Sequence, residues 1–180
     1  MSDPALLGLS GSLRRASANR LLIREAARLF GAAAFAEADL DLPLYHGDVE
    51  EADGIPEPVQ HLADQIARAD AVVISTPEYN KGPSGVLKNA LDWVSRTSGK
   101  PWTGKPVAVM SAAAGRAGGE RAQMVLRGFM VPFQPRLLPG PELHLADCRN
   151  QFDENGQLIS PQYSKTLQAL MDKLRAEIGR

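Results

Sequence analysis

The runs "AVVIST" (Ala71–Thr76) and "VAVMSAAA" (Val107–Ala114) constrain this chain more than any other feature in it. A strand with one wet face alternates apolar and polar residues. "AVVIS" and "VAVMS" do not alternate, so both faces must be covered, which is the condition of a parallel sheet lying between helices. "ALLGLS" (Ala5–Ser10) and "AFAEADL" (Ala34–Leu40) read as two more strands. A fifth lies within "QPRLLPGPELHL" (Gln134–Leu145), where the prolines blur its ends.

Helical stripes separate these runs. Leu22, Ala26, Leu29 and Phe30 share one face; Val59, Leu62, Ala63 and Ile66 share another behind Pro56 and Pro58. Leu87, Ala90, Leu91 and Val94 form a third stripe, and Ala122, Val125, Leu126 and Phe129 a fourth. The last stripe, Leu167, Leu170, Met171, Leu174 and Ile178, follows Ser160-Pro161, a cap residue with proline at the first helical position. "DENG" (Asp153–Gly156) is a turn signal of a small hairpin. Strand and helix alternating in this way predict an α/β fold: a doubly wound, five-stranded parallel sheet in a single domain spanning residues 1–180.

Composition narrows the function classes. A net charge of −1 lacks the basic field of a nucleic-acid binder and gives no reason to expect a membrane surface as partner. "MSDPALLGLSG" has no basic n-region, and no segment approaches the ~18 apolar residues of a membrane span. A lone cysteine, Cys148, excludes an internal disulfide and fits a reducing compartment, so a cytoplasmic protein is expected. His46, His61 and His144 are scattered without metal-ligand spacing, and no metal site is expected.

In a doubly wound sheet, ligands bind beyond the carboxyl ends of the strands where strand order reverses, so the loops after strands 1, 3 and 4 carry the functional reading. The first, "GSLRRASAN", crowds Ser12, Arg14, Arg15, Ser17 and Asn19 ahead of a helix start, with Gly8 and Gly11 placed for a sharp turn. Free N–H groups and the positive dipole end make a helix start an anion site, and an arginine fork adds charge-assisted bonds to phosphate. Ser17 as a plain helix cap, with solvated arginines, is the competing reading. The loop is neither a Walker loop nor a G-x-G-x-x-G dinucleotide turn. "TPEYNKGPSG" (Thr76–Gly85) displays Glu78, Tyr79 and Asn80 beside the stiffening Pro77. That set could hold a flat heterocycle with polar edges, or could be turn chemistry alone. "SAAAGRAGG" (Ser111–Gly119) allows close approach of a ligand to backbone, or tight packing between strand and helix.

"GSLRRASAN", "LPLYHGD" (Leu42–Asp48), "TPEYNKGPSGVLKNALDW" and "SAAAGRAGG" occur in the order of the NADPH-dependent FMN reductase family, which the chain resembles from about Gly8 to Gly119. That family includes the bacterial quinone and chromate reductases. The resemblance implies a flavodoxin-like three-layer α/β/α fold with non-covalent FMN. Ser12, Arg14, Ser17 and Asn19 would surround its phosphate. Pro77, Glu78, Tyr79 and Asn80 would line the isoalloxazine, and Ser111, Ala112 and Gly115 would close the far side. Some relatives carry a second hydroxyl where this chain has Ala112, so one contact there falls to backbone. Lys81 adds a positive charge near the mouth.

The implied activity is NADH or NADPH oxidation in two half-reactions at one open site, with ping-pong kinetics. Hydride passes to the flavin and then to quinones, free flavins, ferric complexes, chromate, or azo and nitro compounds. The flavin supplies the chemistry, and no side chain is required as acid, base or nucleophile. The family also implies a homodimer or homotetramer, with "LPLYHGD", Trp93 and Arg96 at an interface or pocket. The alternative is that the same residues cover the protomer's own sheet edge. Two rival classes share the fold: a flavodoxin-type electron carrier without nicotinamide oxidation, and a flavin-free partner-binding protein. Arg14, Arg15 and Lys81 speak against the strongly acidic carrier.

Overall fold

A computed structural model describes residues 4–31 and 34–179. Six strands form one sheet: β1 (Ala5–Ser10), β2 (Ala34–Glu37), β3 (Ala71–Thr76), β4 (Pro106–Ala112), β5 (Arg136–Leu137) and β6 (Leu143–Leu145). Every pairing is parallel, in the order β2-β1-β3-β4-β5, with β6 also on β4. This is the flavodoxin-type order, and its reversal between β1 and β3 opens the crevice used by ligands.

The expected fifth strand is an edge strand in two pieces. Leu137 pairs with Val107 and Leu143 with Met110, so β5 and β6 run along the same flank of β4. Pro139 and Pro141 lie between them and have no N–H for the ladder. β2 ends at Glu37, short of the expected Leu40, and β4 at Ala112, short of Ala114.

The helices are α1 (Ala18–Phe30), α2 (Gly47–Asp53), α3 (Glu57–Arg68), α4 (Gly85–Val94), α5 (Glu120–Met130) and α6 (Pro161–Ala176). Successive strand residues serve opposite cores. Ala71, Val73, Ala108 and Met110 pack with Leu22, Ile23, Ala26 and Phe30 of α1 and Leu167, Leu170 and Met171 of α6. Val72, Ile74, Val107 and Val109 pack with Leu62 and Ile66 of α3, Leu87 and Leu91 of α4, and Leu126 of α5. The unbroken apolar runs are therefore two period-2 patterns superposed, one for each face. Gly8 sits inside β1 and not in the turn. A Cβ there would come within 2.9 Å of the Phe35 ring and 3.0 Å of Ile23 Cδ1.

Helix ends are closed as their sequences indicate. Ser17, Ser84 and Ser160 cap α1, α4 and α6 through their hydroxyls. Arg175 of α6 donates from Nη1 to the carbonyls of Phe30 (2.6 Å) and Gly31 (3.1 Å), closing the carboxyl end of α1. The "DENG" turn brings Phe152 opposite Leu158 in an antiparallel bridge.

α2 has no buried residue and was not legible as a helix, because it has no apolar stripe. "LPLYHGD" and α2 are held on α4 within the chain. The Pro43 carbonyl accepts from Trp93 Nε1 (2.7 Å), Tyr45 stacks edge-on against Trp93, and Glu50 accepts from Tyr45 Oη and Arg96 Nε (3.0 Å each). The Glu50 carboxylate holds the Tyr45 hydroxyl above its ordinary pKa by that hydrogen bond. Among the described residues, no helix is long and apolar enough to cross a membrane.

Candidate functional site

A cavity of about 700 Å³ opens at the carboxyl ends of β1, β3 and β4, bordered by the three loops singled out above. Its size falls within the range of small-molecule and cofactor sites. The loop after β1 contributes Ser12, Arg14, Ala16 and Ser17. Ser17 N donates to the Arg14 carbonyl (3.1 Å), bending the chain before α1, and Ser17 Oγ accepts from Asn19 N (3.2 Å). Among the described residues, the amides of Arg14, Ala16 and Ala18 donate to no protein acceptor, and the Arg14 guanidinium has no carboxylate partner. Unclaimed N–H groups, a hydroxyl pair and a free guanidinium at a helix start match the donor set an anion requires.

Asn19 lies in the same wall but faces inward. It is 3% exposed and joins three strands' carboxyl ends. Its Oδ1 accepts from Ser75 Oγ (2.7 Å) and Ala112 N (3.1 Å), and its Nδ2 donates to the Ala112 carbonyl (3.1 Å). The side chain is a staple that sets the loops after β1, β3 and β4 at fixed distances, with both acceptor sites and one of its two N–H donors engaged. Sequence alone could not separate these roles, because a buried staple and a ligand use the same amide.

The loop after β3 brings Pro77, Glu78 and Tyr79 to the cavity, the Tyr79 ring being 55% exposed. Glu78 Oε2 also accepts from the amides of Arg121 (3.1 Å) and Ala122 (3.3 Å). It thereby caps α5, whose own N-cap is Gly119 with no side chain to do so. Asn80 is not in the cavity wall. Tyr79 and Gly82 exchange backbone hydrogen bonds (2.9 and 3.0 Å) around Asn80 (φ 51°) and Lys81 (φ 69°), a two-residue hairpin with both central residues left-handed. Asparagine is the non-glycine residue that best tolerates this conformation, so Asn80 has a structural role in the turn itself.

After β4, Ala112, Ala114, Gly115 and Ala117 line the cavity and Ser111 does not. The Ser111 hydroxyl donates to the Gly118 carbonyl (2.6 Å) and accepts from Gln123 Nε2 (2.9 Å), so it is engaged beneath the loop. The glycines of this loop differ in their surroundings. A Cβ at Gly118 would overlap the His144 carbonyl and one at Gly119 would lie 2.7 Å from Ser111 Cβ, whereas Gly115 meets open space. Among the described residues, the amides of Ala114, Gly115 and Ala117 donate to no protein acceptor, and so the loop offers a row of donors to the cavity.

The structure adds a fourth wall that sequence reading missed: Cys148, Arg149, Phe152 and Asp153. Cys148 N donates to the Ala113 carbonyl (3.2 Å), tying this segment to the end of β4. Burial pushes the Cys148 thiol above its ordinary pKa, with Arg149 opposing. No local pattern marked these residues, since they approach the cavity only through the pairing of β6 with β4.

A family model described as NADPH-dependent FMN reductase matches residues 4–148. An NAD(P)H-dependent FMN reductase from Pseudomonas aeruginosa is 40% identical, the match covering 99% of this chain and 97% of that protein. A quinone reductase of Escherichia coli is 39% identical over 84% of this chain and 82% of its own length. Among solved structures, the flavoenzyme NAD(P)H:(acceptor) oxidoreductase from Paracoccus denitrificans superposes with a TM-score of 0.87 at 32% identity, covering 97% of each chain.

Proposed function

The chain belongs to the NADPH-dependent FMN reductase family, and from that premise we propose that its loop-bordered cavity holds FMN and that the protein transfers hydride from NADH or NADPH to small acceptors, quinones first among them. FMN when bound supplies the hydride chemistry, and the protein supplies binding, orientation and electrostatics. The observation that carries this reading is the set of unclaimed donors at the start of α1, with Arg14 unpaired, facing a cavity of about 700 Å³.

Ser12, Arg14, Ser17 and the open amides beside them would hold the phosphate. Pro77, Glu78 and Tyr79 would border the ring system on one side, with Ala112 and Gly115 on the other. The amides of Ala114, Gly115 and Ala117 are the donors available to a carbonyl-edged ring, where fixed N–H dipoles stabilise developing negative charge. Asn19 and Ser111 act one step away by fixing the loops.

The same reading extends to acceptors and assembly. One open cavity used in turn by nicotinamide and acceptor gives ping-pong kinetics. Free flavins, ferric complexes, chromate, and azo or nitro compounds fit the same exposed face. The 180 residues would act as one FMN-binding domain, assembled as a homodimer or homotetramer in the cytoplasm. Anaerobic mixing of the yellow protein with NADPH or NADH tests the central point. Rapid loss of visible flavin absorbance, and parallel double-reciprocal lines with benzoquinone as second substrate, are expected. A protein that binds FMN but is not bleached by either nucleotide is an electron carrier, and that result refutes the reductase reading.

A further inference from the structure

We propose that Arg149 is a second phosphate-binding arginine, facing the cavity with Arg14, and that the pair selects phosphorylated FMN over riboflavin. The inference rests on the FMN reading of the cavity. It concerns a residue just beyond the 4–148 span that the family model matches.

The segment carrying Arg149 is fixed at both ends. Its start is tied to β4 through Cys148 N and the Ala113 carbonyl. Its far end lies against α1: Leu158 N donates to Glu25 Oε1 (3.4 Å), and Phe152 packs against the core cluster that includes Leu22, Ile23 and Ala26 of α1. Between these points the chain crosses the first turns of α1, which puts Arg149 in the wall of the cavity that Ser12, Arg14 and Ser17 also line.

The acids nearest Arg149 in sequence accept from neutral amides and form no ion pair with it. Both oxygens of Asp147 accept from Asn150 Nδ2 (3.1 Å each). Asp153 Oδ1 accepts from the amides of Asn155 and Gln157 (2.9 Å each). Among the described residues, Arg149 and Arg14 have no carboxylate partner. Two guanidinium groups, neither within salt-bridge distance of a carboxylate among the described residues, border a cavity whose wall also holds the Glu78 and Asp153 carboxylates. A phosphate monoester carries about −1.5 to −2 charges at neutral pH and accepts several charge-assisted bonds, so it matches two arginines better than a singly charged group does.

The anion could belong to the flavin or to the nicotinamide nucleotide, and the test separates the two. Apoprotein is titrated with FMN and with riboflavin by quenching of flavin fluorescence, for the wild type, Arg149→Gln and Arg14→Gln. KM for NADPH and NADH is measured on the FMN-loaded proteins. Arg149→Gln is expected to raise the Kd for FMN about 10- to 100-fold, the range of a charged hydrogen bond. Riboflavin affinity and the NADPH-to-NADH preference should stay unchanged, and Arg149→Lys should recover part of the loss. Unchanged FMN affinity overturns the proposal, whether or not the NADPH preference falls. Wild type that binds FMN no better than riboflavin would instead defeat the phosphate cradle itself. Arg149 is exposed, so unchanged urea midpoints are expected to accompany these variants.

Discussion

Replacing Asn19 by alanine tests whether its amide is a staple or a ligand. The substitution removes three hydrogen bonds, from Ser75 Oγ and Ala112 N and to the Ala112 carbonyl, at a position 3% exposed. Each such bond contributes about 1 kcal/mol net, and the buried hydroxyl, N–H and C=O left behind add desolvation that water cannot relieve. The sum is roughly 3–5 kcal/mol. For a domain of this size that corresponds to a fall in Tm of roughly 10 °C. Urea unfolding of the apoprotein is the assay, since bound cofactor would add its own stabilisation. Ser75→Ala placed on top of Asn19→Ala should cost less than Ser75→Ala alone, because the orphaned hydroxyl is removed with it. An apoprotein of unchanged stability that has lost FMN affinity would refute the reasoning and return Asn19 to the phosphate.

Three further outcomes follow from the other loops. Asn80→Gly should leave stability within about 0.5 kcal/mol and FMN affinity unchanged, while Asn80→Val should cost about 1–2 kcal/mol in urea because a β-branched residue resists φ 51°; lost FMN affinity in the glycine variant would place Asn80 at the ligand. Glu78→Ala should lower stability by about 1 kcal/mol through the lost cap of α5, with faster hydrogen exchange at the Arg121 and Ala122 amides; unaltered exchange there would contradict the cap. Cys148, its neutral form favoured by burial, has less thiolate at every pH than a free cysteine. Alkylation should be slow at neutral pH, rise through and beyond the ordinary thiol range, and slow further with FMN bound; rapid, pH-independent labelling would remove Cys148 from the cavity wall.

The layered architecture was legible in the sequence because it follows from the pattern of burial along single segments. "AVVIS" and "VAVMS" demanded two covered faces, and the Leu22, Leu62, Leu87 and Leu167 stripes supplied the covers. The order of the loop motifs also located the cavity, because strand ends in a parallel sheet point to one rim. α2 escaped notice because its helix is held through Glu50 by Tyr45 and Arg96, polar contacts that leave no apolar stripe behind. The split edge strand was hidden by Pro139 and Pro141, whose effect depends on which flank of β4 they meet.

By itself the sequence determined the doubly wound sheet, the rim on which a ligand could sit, and the chemistry of the first loop: hydroxyls and arginine ahead of a helix start. Only the tertiary structure decided which of those polar groups still had a free valence. Ser111, Asn19 and Glu78 are engaged by Gly118, Ala112 and the start of α5, whereas Arg14 and Arg149 form no salt bridge among the described residues. The reason is that a side chain's donors and acceptors are filled by neighbours brought near through strand pairing, and those neighbours lie up to 93 positions away along the chain.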